Sequence, residues 1–113
     1  MRIIGLILAC IITAAAQSAS TDRQSGYAVF QRWCAGCHID SPLAPGSVAL
    51  KAARGPAAAV LEQRTDLSAE LIRTMVRRGY GAMPSFRRTE ISAAELDAVI
   101  TYLSKTNAAG VNR

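Results

Sequence analysis

From Ser25 onward apolar positions recur every three or four residues: Gly26, Phe30 and Trp33 share a face, with Tyr27 and Val29 beside them. That period predicts an amphipathic helix running into Cys34. Glycine weakens a helix interior, so Gly26 reads as a point where another backbone comes close, that of the last helix. Leu71, Ile72, Met75 and Val76 repeat the helical spacing after the potential N-caps of Thr65-Asp66-Leu67-Ser68, and Gly79 closes this second helix. Met75 falls inside the stripe and reads as core. The third helix has the best-marked start: Ser92 and Glu95 form a capping box, and Ile91 and Leu96 a hydrophobic staple. Leu96, Val99, Ile100 and Leu103 continue it with Tyr102 at the edge, until Asn107 to Gly110 end it. Val99 and Tyr102 are expected to pack across Gly26 and Phe30.

Between these elements the pattern breaks. Ser41-Pro42, Ala44-Pro45-Gly46-Ser47 and Arg54-Gly55-Pro56 exclude a long regular element between Ile39 and Pro56, leaving a loop. Val48 to Ala53 and Ala57 to Gln63 have room for short helical pieces. Tyr80-Gly81-Ala82-Met83-Pro84-Ser85-Phe86 reads as a second loop, because Pro84 forbids regular pairing. The fold class is therefore all-α, with three to five helices.

The first residues change the view of the compartment. Arg2 precedes an apolar run from Ile3 to Ile12, and Thr13-Ala14-Ala15-Ala16 offers an A-x-A cut before Gln17. Residues 1–16 are read as a secretory signal peptide, giving a periplasmic protein with no stable membrane span after cleavage. The alternative is an uncleaved anchor. Cys10, in mid-run, belongs to the discarded segment. Residues 17–24 are polar and read as a flexible lead-in, 25–106 as one domain, and 107–113 as a tail. The net charge of +5 is modest, and an exported protein with that charge is not a nucleic-acid binder. Only 5% of the residues are aromatic, so a chain this short gains from a large apolar cofactor to fold around.

The candidate chemistry lies in Cys34-Ala35-Gly36-Cys37-His38, the C-x-x-C-H spacing of covalent haem attachment. Two thiols three residues apart on a tight turn reach two vinyl groups of one macrocycle, and the next imidazole points at its iron. A structural zinc site wants four Cys or His ligands, and the single histidine with two mature cysteines argues against it. A thioredoxin-like dithiol would follow a strand, and no such run precedes Cys34. Combined with this motif, Met83 on its glycine-proline loop is the candidate sixth ligand, presenting a thioether opposite His38; the alternative is a methionine filling a gap. A ligating histidine donates its other ring N–H to an acceptor, and the Pro45 carbonyl is the candidate, with Pro42 and Pro56 behind it. These prolines can equally serve only to shape turns. Arg77, Arg78, Arg87 and Arg88 bracket Met83 and could steer an acidic redox partner, or form an ordinary solvated surface.

Taken together, the chain from about Gly26 to Leu103 resembles a class I mono-haem c-type cytochrome. The segments that carry the likeness are Cys34 to His38, Gly81 to Phe86 and the closing helix with Tyr102. The resemblance implies a small cytochrome c fold around one covalently bound haem c, with Cys34 and Cys37 as thioethers and His38 and Met83 on iron. It implies Gly26 and Phe30 against the C-terminal helix, and one-electron transfer between redox proteins in place of enzyme catalysis. No Gly-Pro-x-Leu follows the haem motif, so the family's usual carbonyl partner for His38 is not marked. Leu61 to Leu67 and Met83 to Glu90 also look like cytochrome subunits of flavocytochromes such as p-cresol methylhydroxylase, which implies a flavin dehydrogenase as partner. A haem sensor or enzyme with an open sixth site is the remaining alternative.

Overall fold

A computed structural model of the chain describes residues 22–110, with side chains through Ser104. Helix α1 covers residues 22–33, and after a turn at Cys34 comes the single-turn helix α2, Ala35–His38. Helix α3 is Pro45–Arg54, and single 3-10 turns follow at Pro56–Ala58 and Leu61–Gln63. Helix α4 is Ala69–Arg78 and α5 is Ala93–Gly110. Among the described residues there are thus five α-helices, and β-pairing is limited to an isolated bridge between Tyr80 and Met83. The all-α expectation holds.

Four boundaries differ from those the sequence suggested. The chain is already helical at residues 22–24, which had read as lead-in. The stretch expected to be loop up to Val48 instead opens a ten-residue helix at Pro45. Proline is well suited there, because its fixed φ matches the helix and its missing N–H lies where no intrahelical partner exists. The helical piece expected at Ala57 to Gln63 is two 3-10 turns, the first beginning at Pro56, and α5 runs into the expected tail as far as Gly110. The expected signal peptide, residues 17–21 of the lead-in and residues 111–113 lie outside the described residues.

The core forms where α1, α4 and α5 meet. Phe30, Ile91, Leu96 and Val99 are fully buried, and Ile72, Val76, Ile100, Tyr102 and Leu103 surround them. Gly26 makes the α1–α5 approach possible: a Cβ there would collide with the carbonyl of Ala98 and lie 2.6 Å from Tyr102 Cβ. The Tyr102 ring packs edge-on against Tyr27 at 5.7 Å and tilted against Phe30 at 5.8 Å. Its hydroxyl donates to the Glu62 carboxylate, fastening the second 3-10 turn to α5. Burial, reinforced by that bond and the Glu62 charge, pushes the Tyr102 phenol above its usual value. On the other flank, Arg73 on α4 pairs with Asp97 on α5 at 2.8 Å.

Both expected helix starts form. Ser68 caps α4, its hydroxyl accepting from Leu71 N–H at 3.1 Å. At α5, Glu95 N–H donates to Ser92 Oγ (3.2 Å) and Ser92 N–H to Glu95 Oε2 (2.8 Å), closing the capping box. These bonds hold the Glu95 carboxyl below the usual carboxylate range. Replacing the cap, Ser92→Ala, should cost about 1 kcal/mol in denaturant unfolding. A stability equal to wild type would show that the box does not hold in solution.

Candidate functional site

The C-x-x-C-H segment begins where α1 ends. Cys34 N–H still donates to Phe30 O at 2.9 Å, while the Cys34 carbonyl accepts from both Cys37 N–H and His38 N–H at 3.0 Å each. Those bonds wind the five residues into one helical turn, setting two free thiols and the imidazole on a single rigid support. Cys34 is half-buried against the core and Cys37 is exposed. Burial, then the neighbouring Cys37, pushes the Cys34 thiol up to about 11. Burial pushes the His38 imidazole below its usual value, favouring the neutral form that binds metals.

The start of α3 lies against this turn. A Cβ at Gly46 would sit 2.6 Å from Cys37 O and His38 Cε1 and 2.8 Å from His38 Nδ1, so backbone is packed directly on the imidazole. Buried Ser47 donates its hydroxyl to Ile39 O at 2.8 Å, fixing the chain just after His38. The bond expected from His38 to the Pro45 carbonyl is not formed: Nδ1 is buried without a hydrogen-bond partner. Pro45 heads α3, and a residue there turns its carbonyl along the helix axis. Gly46 and Ser47 had read only as breakers, so their contact with the histidine turn went unmarked.

Met83 is carried by a loop tightly fastened to α4. Tyr80 N–H bonds Met83 O at 3.1 Å and Met83 N–H bonds Tyr80 O at 3.0 Å. Gly79 permits this, with φ of 68° and space for no side chain: a Cβ would lie 2.5 Å from Met83 O. Phe86 N–H then returns to Val76 O at 2.8 Å. Met83 and Phe86 are partly buried against the same core as Cys34. The Trp33 ring meets Phe86 edge-on at 5.8 Å, so the residue before Cys34 touches the loop that carries Met83.

The four arginines separate. Arg78, Arg87 and Arg88 are exposed, Arg87 lying 3.6 Å from Glu90. Arg77 instead turns inward, and its guanidinium hydrogen-bonds to the carbonyls of Phe86, Ile91 and Ser92. The sequence also gave no sign of how Arg64 is used. It is buried beside the 3-10 turns and forks onto Asp66 through bonds of 2.7 and 2.6 Å, which hold the Asp66 carboxyl below its usual range.

These residues fit a covalently attached haem. The thiols and the imidazole share one turn, burial favours the neutral imidazole that binds metals, and a thioether packs on the same core. Apolar Ile39, Leu43, Val48 and Tyr80, beside the histidine turn and in the Met83 loop, are exposed, Leu43 by 88%, as suits side chains flanking a large apolar group. Among the described residues no three His, Cys, Asp or Glu side chains gather to hold a metal ion by themselves. No helix among them is long and apolar enough to cross a membrane.

Comparison with known proteins agrees with this chemistry. Residues 21–103 match the family described as cytochrome c oxidase, cbb3-type, subunit III. Cytochrome c-552 of Bradyrhizobium diazoefficiens is 32% identical over 98 residues, which cover 83% of this chain and 90% of that protein. No solved structure matches. The chain belongs to that cytochrome family, and it is a mono-haem c-type cytochrome, an electron-transfer protein and not an enzyme.

Proposed function

We propose that this cytochrome is an exported, periplasmic one-electron carrier whose iron is held by His38 and Met83, passing electrons between a dehydrogenase and a respiratory acceptor. The observation that carries the reading is the Trp33–Phe86 contact, which joins the residue before Cys34 to the end of the Met83 loop. Cys34 and Cys37 would hold the macrocycle through thioethers. When bound, the haem supplies a one-electron couple between iron(III) and iron(II), an electron accepted from one redox protein being given to another. His38 would bind the metal in its neutral form, and Gly46 and Ser47 keep its support from shifting. Met83 contributes a neutral thioether, which together with apolar surroundings favours the reduced state and leaves no site open for a small ligand. Arg78, Arg87 and Arg88 lie on the exposed side near the Met83 loop and would steer an acidic partner at low salt. Export rests on the apolar leader at residues 1–16.

The test is Met83→Ala. Its reduction potential should fall by on the order of 0.1 V, a fraction of the ~0.8 V range that axial ligands span. The weak red sulfur-to-iron band of the oxidised protein should disappear, and carbon monoxide should bind the reduced form at neutral pH. An unchanged potential and spectrum would remove Met83 from the iron.

A further inference from the structure

Arg77 lies in the last turn of α4, where a basic side chain ordinarily extends into water. Here its Nη1 donates to Phe86 O at 3.1 Å and Ile91 O at 2.8 Å, and its Nη2 contacts Ser92 O at 3.4 Å. Phe86 ends the loop that carries Met83. Ile91 and Ser92 are the residues just before α5, where the staple and the capping box are made. One side chain therefore joins α4, the exit of the Met83 loop and the start of α5.

Besides the packing of Phe86 on Trp33, two backbone fastenings hold that loop among the described residues, the Tyr80–Met83 bridge and the bond from Phe86 N–H to Val76 O. Both tie it to itself or to α4. The bonds from Arg77 reach further, to the Ile91 and Ser92 carbonyls at the start of α5, beside the bond from Ile91 N–H to Arg87 O, and α5 is anchored in turn through Gly26, Leu96 and Val99. Charge-assisted donors are the strong ones, and a planar guanidinium spans several acceptors at once where an ammonium group does not. Without this link the loop could lift from α5 as a local unit while the helices stay folded.

We propose that Arg77 is a positioning residue for Met83, holding the ligand loop against α5 so that the thioether withstands competition from outside ligands. This rests on the His38 and Met83 ligation reading. The charge of Arg77 thus serves the inside of the protein, while Arg78, Arg87 and Arg88 remain for partners.

The experiment is a titration of the oxidised, haem-loaded protein with imidazole at fixed pH, followed by the fading of the sulfur-to-iron band. Arg77→Met should bind imidazole roughly tenfold more tightly or better, the scale set by losing a charge-assisted hydrogen bond. Arg77→Lys should fall between that variant and wild type. It decides the matter alone if Arg77→Met fails to load haem. Arg73→Ala, which cuts the pair to Asp97 between the same two helices, should keep wild-type affinity. Wild-type affinity in the Arg77 variants would overturn the proposal, as would an equal gain in Arg73→Ala, which would mean general loosening of α4 on α5. A wild-type protein without the band would overturn the ligation reading itself, and this role with it.

Discussion

A chain in which Cys34 and Cys37 are both replaced by serine should leave haem-loading cells with no covalently bound haem, and should not keep its native fold at room temperature. Serine is close in size, but its hydroxyl does not form a thioether with a vinyl group, so the loss is chemical and not steric. The structural effect follows from how little else holds this end of the molecule. The turn from Cys34 to His38 is a single helical turn, and Leu43, Val48 and Tyr80 lie exposed near it or in the Met83 loop. Small domains rarely draw enough stability from their own apolar side chains without a covalent or metal staple. Removing the attached plate should therefore cost several kcal/mol, a large part of the ~5–15 kcal/mol typical of a folded domain. Haem staining after denaturing electrophoresis, with far-ultraviolet circular dichroism, reads both effects. Stained, helical double variant would contradict the attachment site, whereas Cys37→Ser alone should keep one thioether and much of the fold.

Gly26→Ala should produce the second large change. An added Cβ would meet the Ala98 carbonyl and come within 2.6 Å of Tyr102 Cβ and 2.8 Å of the Ala98 carbonyl carbon. Two of these atoms are helix backbone, so α1 and α5 would have to move apart and loosen the packing of Phe30 and Val99. Overpacking of this kind costs about 1–3 kcal/mol and occasionally more. Alanine's better helix propensity returns up to ~1 kcal/mol. With backbone on the receiving side the clash dominates, and a net loss near 2 kcal/mol should lower the melting temperature by roughly 8–16 °C. A variant melting with wild type would mean that the helices do not approach this closely.

The features that were legible in the sequence are those whose cause is local. Gly26 announced a close approach because glycine is costly inside a helix, and the structure supplies the neighbour in Ala98 and Tyr102. Ser92 and Glu95 marked a helix start because both halves of the box lie within four residues. Met83, a loop residue with glycine before it and proline after it, packs on the same core as Cys34. Helix α3 is legible only from Val48 to Ala53, because the proline and glycine at its start read as breakers, although proline is at home in a first helical turn. Arg77 was read as surface charge because its acceptors are carbonyls on Phe86, Ile91 and Ser92, and no pattern of side chains records where a distant backbone will pass. The closeness of Gly46 to His38 was hidden for the same reason.

Under the proposed His38 and Met83 ligation, the turn from Cys34 to His38 would also make the two faces of the iron site unequal in permanence. On one face, two prospective covalent anchors and the imidazole share a single hydrogen-bonded turn, so they can only travel together. On the other, Met83 depends on a belt of reversible contacts drawn from α4 and α5. Heat, mild denaturant or tension from a docked protein would therefore register first as departure of sulfur, with the pigment still tethered to the polypeptide.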